Sequence, residues 1–319
     1  MSIISKDISK AIALLNEEEL VAIPTETVYG LAGNIYSEKA IKSIFETKQR
    51  PFFNPLIVHI PSVDYLNKIV ESIPNKARLL AEAFWPGPIT LVLKKKNTIP
   101  NLITAGKNTV AVRIPNHTTT LELLNRLDFP LAAPSANPFN RISPTKAEHV
   151  EDYFKDKLKM VLDGGACEKG IESTIIGFDN DEPIIYRLGS TSIEAIEAVV
   201  GPITIQNKKE KSPNAPGMLE RHYAPKTKTI LTDNLQKSIR DYQHKRIGLL
   251  VYNDILSDDK INFKIVLSQE KNLEEAASKL YDALHQLDKQ DLDIIIAEQL
   301  PDYGLGKSIN DRLTRATKN

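Results

Sequence analysis

The sequence is poor in several features that define whole classes of protein. Its 319 residues include one cysteine, Cys167, which excludes an internal disulfide framework and a zinc site built from cysteines. The six histidines form no H-x-x-x-H pair and the carboxylates no obvious cage, so we expect no transition metal held by the protein. No apolar run approaches the roughly 20 residues that cross a bilayer, and the N-terminus lacks a signal-peptide pattern. These absences predict a soluble, cytoplasmic protein with no membrane partner.

The chain also lacks an excess of charge of either sign. Lysines and arginines number 41, and so do aspartates and glutamates, so no global charge attracts nucleic acid or a membrane surface. Residues 205–227 differ locally, with five basic and two acidic side chains, three prolines and no long apolar run. We interpret this stretch as a linker between a domain of residues 1–204 and a second domain of residues 228–319.

Short apolar segments that alternate with helical patterns predict an α/β fold. Helices are predicted over 6–20, 37–49 (with Ser37 as the N-cap), 74–84 and 117–127, and strands over 20–23, 55–60, 89–93, 109–114, 130–133, 159–163, 173–178 and 183–188. Many short strands with interspersed helices favour a mixed, twisted sheet. Beyond the linker, strands and helices alternate over about 90 residues, which predicts a small parallel, Rossmann-like domain.

The usual phosphate-binding motifs are missing. No G-x-G-x-x-G occurs, so the dinucleotide fingerprint is absent. GLGKS at 304–308 resembles the end of a P-loop, but Pro301 stands where the first glycine of that loop would fall. The segment is therefore interpreted as a glycine-rich turn, because the loop amides could not wrap a β-phosphate in the usual way.

Basic side chains recur at the ends of predicted elements in the first domain. Lys48 and Arg50 lie two residues apart where a helix gives way to an extended segment, so both cations can face one anion. His59 and Arg187 end or interrupt apolar strands, and Arg113 shares a strand face with Thr109. Such a group suits a ligand with several negative charges, first of all a triphosphate. Taken singly, each residue is better explained as an ordinary solvated or paired charge.

Hydroxyl side chains follow several of the predicted strands. They are Thr25, Thr27, Ser135, Ser143 and Ser173. Small polar residues at strand ends line ligand crevices, but they are also typical of turns. A hydrolase triad is poorly supported, because Ser135 lacks the G-x-S-x-G elbow and His59 lacks an evident acid partner. Cys167 lies in a glycine turn without a nearby histidine, which favours an unreactive thiol.

Eight segments together resemble a known family. They are PTETVYGL (24–31), K-x-R-P with NPLIVHI (48–60), WPGPITLVL (85–93), TVAVRIP (109–115), APSAN (133–137), SPTKAE (143–148), GIESTII (170–176) and APGM…HYAP (215–225). In this order they resemble the threonylcarbamoyl-adenylate synthases, specifically the members with a YrdC-like N-terminal domain and a Rossmann-like C-terminal domain. The likeness of the C-terminal domain is mainly one of position and pattern.

The resemblance implies that L-threonine, bicarbonate and ATP give threonylcarbamoyl-adenylate and pyrophosphate, which a separate tRNA threonylcarbamoyl transferase then uses. It assigns to ATP the residues Lys48, Arg50, Thr109, Ser135, Asn137, Ser143 and Arg187, and to L-threonine Thr25, His59, Arg113, Ser173 and the backbone near Ala133. Mg²⁺ would arrive with ATP. The linker would cross the site with His222 and Tyr223. Glu220 departs from the tyrosine that relatives can carry there, and an acid facing phosphates would repel them.

Two other functions remain open at this stage. YrdC-like domains have been viewed as RNA-binding surfaces, so an RNA-binding module with weak tRNA contact is one alternative. The 22 basic and 24 acidic side chains of residues 1–204 argue against strong electrostatic binding. The other alternative is a related carbamoyl-adenylate-forming enzyme, as in hydrogenase maturation. Those larger proteins carry extra domains for which this chain has neither the length nor the cysteines.

Overall fold

The computed structural model of the chain describes residues 2–206, 222–253 and 259–318, which form two α/β units, each built on its own sheet. The strands of the first unit are β1 (Ile4–Ser5), β2 (Val21–Ile23), β3 (Gly30–Asn34), β4 (Ile57–His59), β5 (Ile89–Lys94), β6 (Thr109–Arg113), β7 (Leu131–Ala132), β8 (Val161–Leu162), β9 (Thr174–Asp179), β10 (Glu182–Arg187) and β11 (Thr204–Ile205). Its helices are α1 (Ile8–Asn16), α2 (Glu38–Lys48), α3 (Leu66–Ile69), α4 (Asn75–Phe84), α5 (Asn101–Thr104), α6 (Thr118–Asn125), α7 (Ala147–Phe154) and α8 (Ile193–Val200), with a 3₁₀ turn at Val63–Tyr65.

The first sheet mixes parallel and antiparallel neighbours. Its strand order is β1-β8-β2-β3-β7-β4-β6-β5-β9-β10-β11. β2 and β3 pair antiparallel across the turn of residues 24–29, whereas β4 and β6 run parallel. The predicted mixed α/β fold is therefore confirmed. All seven strands predicted between residues 55 and 188 form, most of them shorter than predicted. The sequence did not predict β3 because its GLAGN segment lacks β-branched and aromatic residues.

Helix starts in the first unit follow from capping side chains. Asp7, Ser37 and Ser192 each accept a hydrogen bond from a backbone N–H in the first turn of α1, α2 and α8. The predicted Ser37 cap is confirmed. α2 ends at Lys48 because Gln49 adopts the left-handed conformation, with φ of 54°, before the chain reaches Pro51.

The two faces of the first sheet bury different side chains. Val58, Leu91 and Val112 point into the large core that the helices cover. Because successive residues of a strand point to opposite faces, their neighbours form a second cluster on the other face. This cluster, here called the apolar strip, consists of Ile57, Val92, Ala111 and Ile175, with Tyr186 packed against it. The strip lies between the two ends of β6.

The second unit is a parallel α/β domain. Its strands are β12 (Thr229–Thr232), β13 (Ile247–Val251), β14 (Ile261–Val266) and β15 (Ile294–Glu298), and its helices are α9 (Leu235–Asp241), α10 (Leu273–Asp288) and α11 (Leu305–Ala316). The strand order is β12-β15-β13-β14, and each neighbouring pair is parallel. The predicted parallel architecture is confirmed. None of the helices in the described ranges has the length and apolar character needed to cross a membrane.

The GLGKS segment begins α11 and packs on the first unit. Gly304 precedes the helix with a φ of 51°, as the predicted glycine turn requires. Lys307 lies 3.5 Å from a carboxylate oxygen of Glu194, and the Ser308 hydroxyl donates to the Gly189 carbonyl at 2.8 Å. Both side chains therefore bond to the protein across the boundary between the units.

The predicted boundaries at residues 204 and 228 stay predictions. β11 includes residue 205, which pairs with β10, so the sheet extends one residue into the predicted linker. β12 begins at residue 229. Residues 207–221 of the linker, and Glu220 among them, lie outside the described residues.

The two units meet along α10 and α11. Arg141 Nη2 lies 3.0 Å from Asp288 Oδ2, and His285 Nε2 lies 3.2 Å from the Ser143 carbonyl. The units also pack tightly at Gly170, where φ is +69° and an added Cβ would lie 2.3–2.5 Å from backbone atoms of Ser278 in α10. Only a glycine allows this contact, because backbone atoms of a helix cannot move aside.

We predict that Gly170→Ala destabilises the protein by about 3 kcal/mol or more, because a clash adds to left-handed strain. Gly106→Ala is the matched control: Gly106 has a φ of +79° but no atom within 4 Å of the added Cβ. The Gly106→Ala variant should lose only about 1–2 kcal/mol of its free energy of unfolding. Urea denaturation followed by circular dichroism measures both. Equal losses of stability in the two variants would show that glycine is required at position 170 for its left-handed backbone conformation and not for the contact with α10.

Candidate active site

One cavity of the first unit collects most of the predicted site residues. It encloses about 580 Å³, its open mouth included, a volume typical of small-molecule sites. Its lining includes Thr25, Thr27, Arg50, His59, Arg113, Ala133, Ser135, Ser173, Arg187, His222 and Tyr223. These come from the β2–β3 turn, the chain after α2, the ends of β4, β6 and β10, the segment after β7, the residue before β9, and the last part of the predicted linker.

The β2–β3 turn carries a chain of polar contacts to Arg113. The Thr25 and Thr27 hydroxyls lie 2.9 Å apart, and Thr27 accepts a hydrogen bond from Arg113 Nη1 at 2.9 Å. Arg113 Nε donates to the Gly87 carbonyl at 3.3 Å. Arg113 Nη2 lies 2.6 Å from Glu26 Oε2, and both side chains are buried. Glu26 therefore orients the guanidinium, a role that the sequence did not reveal.

His59 is a neutral histidine at the end of β4. Burial and the neighbouring charge of Arg113 lower the pKa of His59 to about 3. Among the described residues its Nδ1 atom has no hydrogen-bond partner, although it is buried. A buried polar atom of this kind usually marks a ligand contact or an ordered water.

Arg187 ends β10 and folds back onto β9. Its Nε and Nη2 atoms donate to the Ser173 carbonyl at 3.2 and 2.8 Å, and Nη2 also lies 3.2 Å from the Ser173 hydroxyl. That hydroxyl lies 2.7 Å from the hydroxyl of Thr90. The predicted Ser173 and Arg187 therefore act as one hydrogen-bonded unit. Burial is the main cause that lowers the pKa of Arg187.

Lys48 and Arg50 converge for a different reason from the predicted one. The expected extended segment is wrong, since Lys48 is the last residue of α2 and the left-handed Gln49 turns the chain. Lys48 Nζ donates to the carbonyls of Ser135 and Asn137, and Arg50 Nη2 donates to the Pro55 carbonyl at 2.8 Å. Both side chains are buried, with 1% and 7% exposed, so neither cation is a surface charge.

The cations of this site repel one another. Burial and then the charge of Arg50 lower the pKa of Lys48 well below its usual value. Burial and then the charge of Arg187 lower the pKa of Arg50 to about 9. The pKa of His222 is also lowered, chiefly by burial, although Glu172 opposes the shift. A bound polyanion would counter both the burial and the repulsion between the cations, because its negative charge favours their protonated forms and raises their pKa values.

Three predicted nucleotide residues lie behind the cavity wall. They are Lys48, Asn137 and Ser143, none of which is in the cavity lining. Asn137 Nδ2 donates to the Pro138 and Arg141 carbonyls at 2.9 Å, and this holds the APSAN loop. The Ser143 hydroxyl donates to Glu172 Oε1 at 2.6 Å.

His222 and Tyr223 close one side of the cavity. Their rings are 4.1 Å apart, and both side chains are buried. His222 Nδ1 and the Tyr223 hydroxyl are buried without a hydrogen-bond partner among the described residues. With His59 Nδ1 and Arg113 Nη2, which faces Glu26 without a hydrogen bond, four such atoms belong to cavity-lining residues. The cavity therefore presents polar atoms to which a ligand would bond.

Thr109 does not line this cavity. It shares a sheet face with Arg113, as predicted, but lies at the other end of β6, about 13 Å away at the usual rise per residue. There it borders a different cavity with Val92, Phe178 and Tyr186. The apolar strip lies between the two cavities, and Ile57 of the strip lines the first.

Sequence reasoning missed the two buried carboxylates of the site, Glu26 and Glu172, and the partners of Glu172 in the second unit. Glu172 lines the cavity and bonds to Arg312 and Tyr281. Both glutamates stand inside the motifs PTETVYG and GIESTII, and an acid within a motif of a cationic site is the signal that could have found them. Among the described residues no group of three or more histidine, cysteine or acidic side chains could hold a metal ion.

Family models match almost the whole chain. The Sua5/YciO/YrdC model, described as "Telomere recombination", matches residues 13–189, and the model "Threonylcarbamoyl-AMP synthase, C-terminal domain" matches residues 191–317.

Similar proteins agree with the family models. The threonylcarbamoyl-AMP synthase of Bacillus subtilis is 40% identical to this chain over 97% of the chain and 92% of its own length. The threonylcarbamoyl-AMP synthase of Pyrococcus abyssi is 39% identical over 96% of this chain and 93% of its own length. A crystal structure of Pyrococcus abyssi Sua5 with L-threonine matches with a TM-score of 0.91, covering 97% of this chain and 94% of that one. The chain therefore belongs to the threonylcarbamoyl-AMP synthase family, in the form that has both a YrdC-like domain and a C-terminal domain.

Proposed function

We propose that the chain condenses L-threonine, bicarbonate and ATP to threonylcarbamoyl-adenylate and pyrophosphate. The observation that carries the proposal is the convergence of Lys48, Arg50 and Arg187, all buried, around a cavity whose lining also presents unpaired polar atoms. Buried cations that lie this close together favour a polyanionic ligand, and the adjoining Thr25–Arg113 chain is suited to an amino acid. The two halves of the cavity fit the two organic substrates.

L-threonine would occupy the half next to the β2–β3 turn. Three of the five N–H groups of Arg113 face Gly87, Thr27 and Glu26, so the remaining two can bond a carboxylate. Thr25, His59, Ser173 and the backbone at Ala133 surround that position and would orient the amine and the hydroxyl.

ATP would occupy the cationic half. Arg50, Arg187 and Ser135 line it, and Lys48, Asn137 and Ser143 support the wall from behind. The apolar strip runs from Ile57 toward Thr109, which is why we retain Thr109 as a nucleotide contact at the far end of the strip. ATP would bring Mg²⁺ with it as part of the substrate.

The reaction needs positioning and charge neutralisation. The threonine nitrogen forms a bond to the bicarbonate carbon with loss of water, giving a carbamate. A carbamate oxygen then attacks the α-phosphorus, the bond to the bridging oxygen breaks, and pyrophosphate leaves with the electron pair. Lys48, Arg50 and Arg187 would stabilise the charge that develops on the leaving group, and no enzyme nucleophile is required. Cys167 is buried, and burial raises the pKa of its thiol, which agrees with an unreactive side chain.

The product would pass to a separate tRNA threonylcarbamoyl transferase. Direct RNA binding is less well supported, because Lys48, Arg50 and Arg187 are at most 7% exposed and cannot reach the phosphates of a folded RNA. His222 and Tyr223 belong to the predicted crossing of the linker over the site, whose residues 207–221 lie outside the described ranges.

The direct test is pyrophosphate release from MgATP with L-threonine and bicarbonate omitted in turn. We expect release only when all three are present. Release without threonine would favour the related carbamoyl-adenylate chemistry. A folded protein that binds ATP but releases no pyrophosphate would contradict the proposal.

A second test removes one cation. We predict that Lys48→Ala lowers kcat/KM for pyrophosphate release by about 10²- to 10³-fold, the usual effect of removing one preorganised group that stabilises a developing charge. Lys42→Ala is the matched control, because Lys42 lies on the same helix and pairs with Glu38 at the surface. The control should keep wild-type kinetics. Activity of Lys48→Ala within a few fold of wild type would exclude the assigned phosphate position.

A third test uses the shifted pKa values. Burial and repulsion lower the pKa of Lys48 and bring that of Arg50 to about 9, and bound phosphates would raise both again. ATP binding should therefore take up protons and weaken as the pH rises from neutral toward 9. Calorimetric titrations in buffers of different ionisation enthalpy measure the uptake. Proton release on binding would refute this assignment.

A further inference from the structure

We propose that Arg312, a residue of the second unit, is a positioning residue for ATP: it neutralises Glu172 in the cavity wall, so that the buried cations stay available to the triphosphate. The inference rests on the proposed function, because it concerns the same cavity. It also gives the second unit a task in the reaction.

Arg312 reaches the cavity wall from α11. Its side chain is 1% exposed, and its Nε atom donates to Glu172 Oε2 at 2.8 Å. Its Nη2 atom donates to the Leu188 carbonyl at 2.6 Å, next to Arg187 in the chain. Its guanidinium carbon lies 4.9 Å from the ring centroid of Tyr223, within cation–π distance. One side chain thus contacts Glu172, the residue after Arg187, and Tyr223.

Glu172 is the carboxylate that lines the cavity itself. Its Oε1 atom accepts from the Ser143 hydroxyl at 2.6 Å, and its Oε2 atom accepts from the Tyr281 hydroxyl at 3.0 Å and from Arg312. Tyr281, like Arg312, belongs to the second unit, where it lies in α10. Two residues of the second unit therefore satisfy the charge of a glutamate in the first.

An unneutralised carboxylate here would oppose the proposed reaction. Glu172 is electrostatically coupled to Arg187 and His222 in the same cavity. Without its partner, the carboxylate would compete with phosphates for Arg187 and repel the phosphates directly. Burial alone would raise the pKa of Glu172, but the charges of Arg312 and Arg187 and two hydrogen bonds lower it to about 2. The glutamate is thus ionised at neutral pH, and Arg312 is a large part of the reason.

The experiment is a double-mutant cycle on the full chain, with steady-state pyrophosphate release and thermal melting as readouts. Arg312→Met should raise the KM for ATP at least tenfold and change the KM for L-threonine less than threefold. Adding Glu172→Gln to Arg312→Met should return the KM for ATP to within about threefold of wild type, since the unpaired charge is then gone. Lys307→Met is the matched control on the same helix, because its ion pair with Glu194 also joins the units but lies outside the cavity.

A purely structural role predicts a different pattern. Arg312→Met would then lower the melting temperature without a selective effect on the KM for ATP, and the double variant would be no better than the single one. Either result overturns the inference. If Arg312→Met cannot be purified in folded form, Arg312→Lys and the double variant replace it in the test. Both should keep a KM for ATP near that of the wild type. A tenfold rise in the KM for ATP of both variants would refute the inference.

The pH profile supplies a second readout. In Arg312→Met, the pKa of Glu172 should rise, because only Arg187 and the Ser143 hydrogen bond then oppose the effect of burial. The KM for ATP should therefore fall as acidification protonates the carboxylate. The wild type should lack this improvement, and its presence there would contradict the inference. Wild-type protein without pyrophosphate release would refute the proposed function, whereas an active wild type with an unaffected Arg312→Met would refute only the role of Arg312.

Discussion

The burial of three cations at one cavity wall is the constraint on which the rest of the site depends. A buried charge is costly unless it is paired or hydrogen-bonded, and here the backbone supplies much of the compensation. Lys48 bonds to the carbonyls of Ser135 and Asn137, Arg50 to that of Pro55, and Arg187 to that of Ser173. The segments before β4, after β7 and before β9 are therefore shaped so that their carbonyl oxygens meet these side chains.

The two buried carboxylates have different roles at the two halves of the cavity. Glu26 orients Arg113 at one half of the cavity, and Glu172 collects Ser143, Tyr281 and Arg312 at the other. Glu172 is itself fixed by these three partners, whereas Glu26 pairs directly with Arg113. Placing one set of partners in the second unit means that docking of the two units and formation of the site are physically the same event.

Much of the fold could be predicted because its signals are local. Ser37 caps α2, apolar runs mark β4 to β10, and alternation along β6 places Arg113 opposite the core. The site residues followed from motifs, and the structure gathers Thr25, His59, Arg113, Ser173 and Arg187 in one cavity. Contacts between distant segments could not be predicted in this way. Nothing near residue 312 reveals that its charge meets Glu172, and the left-handed Gln49 that turns Arg50 toward the site has no pattern that distinguishes it from a helical residue.

The contact between α11 and Glu172 also determines when the site is completed during synthesis of the chain. The strands and helices of residues 2–206 leave the ribosome first, and their sheet contains all of its own strands by residue 205. The partner of Glu172, however, is residue 312, so this carboxylate stays without its arginine until more than one hundred further residues have been translated and folded. A nascent chain can thus hold a finished sheet long before it holds a finished nucleotide site. A chain interrupted before α11 would contain Glu172 without the arginine that pairs with it.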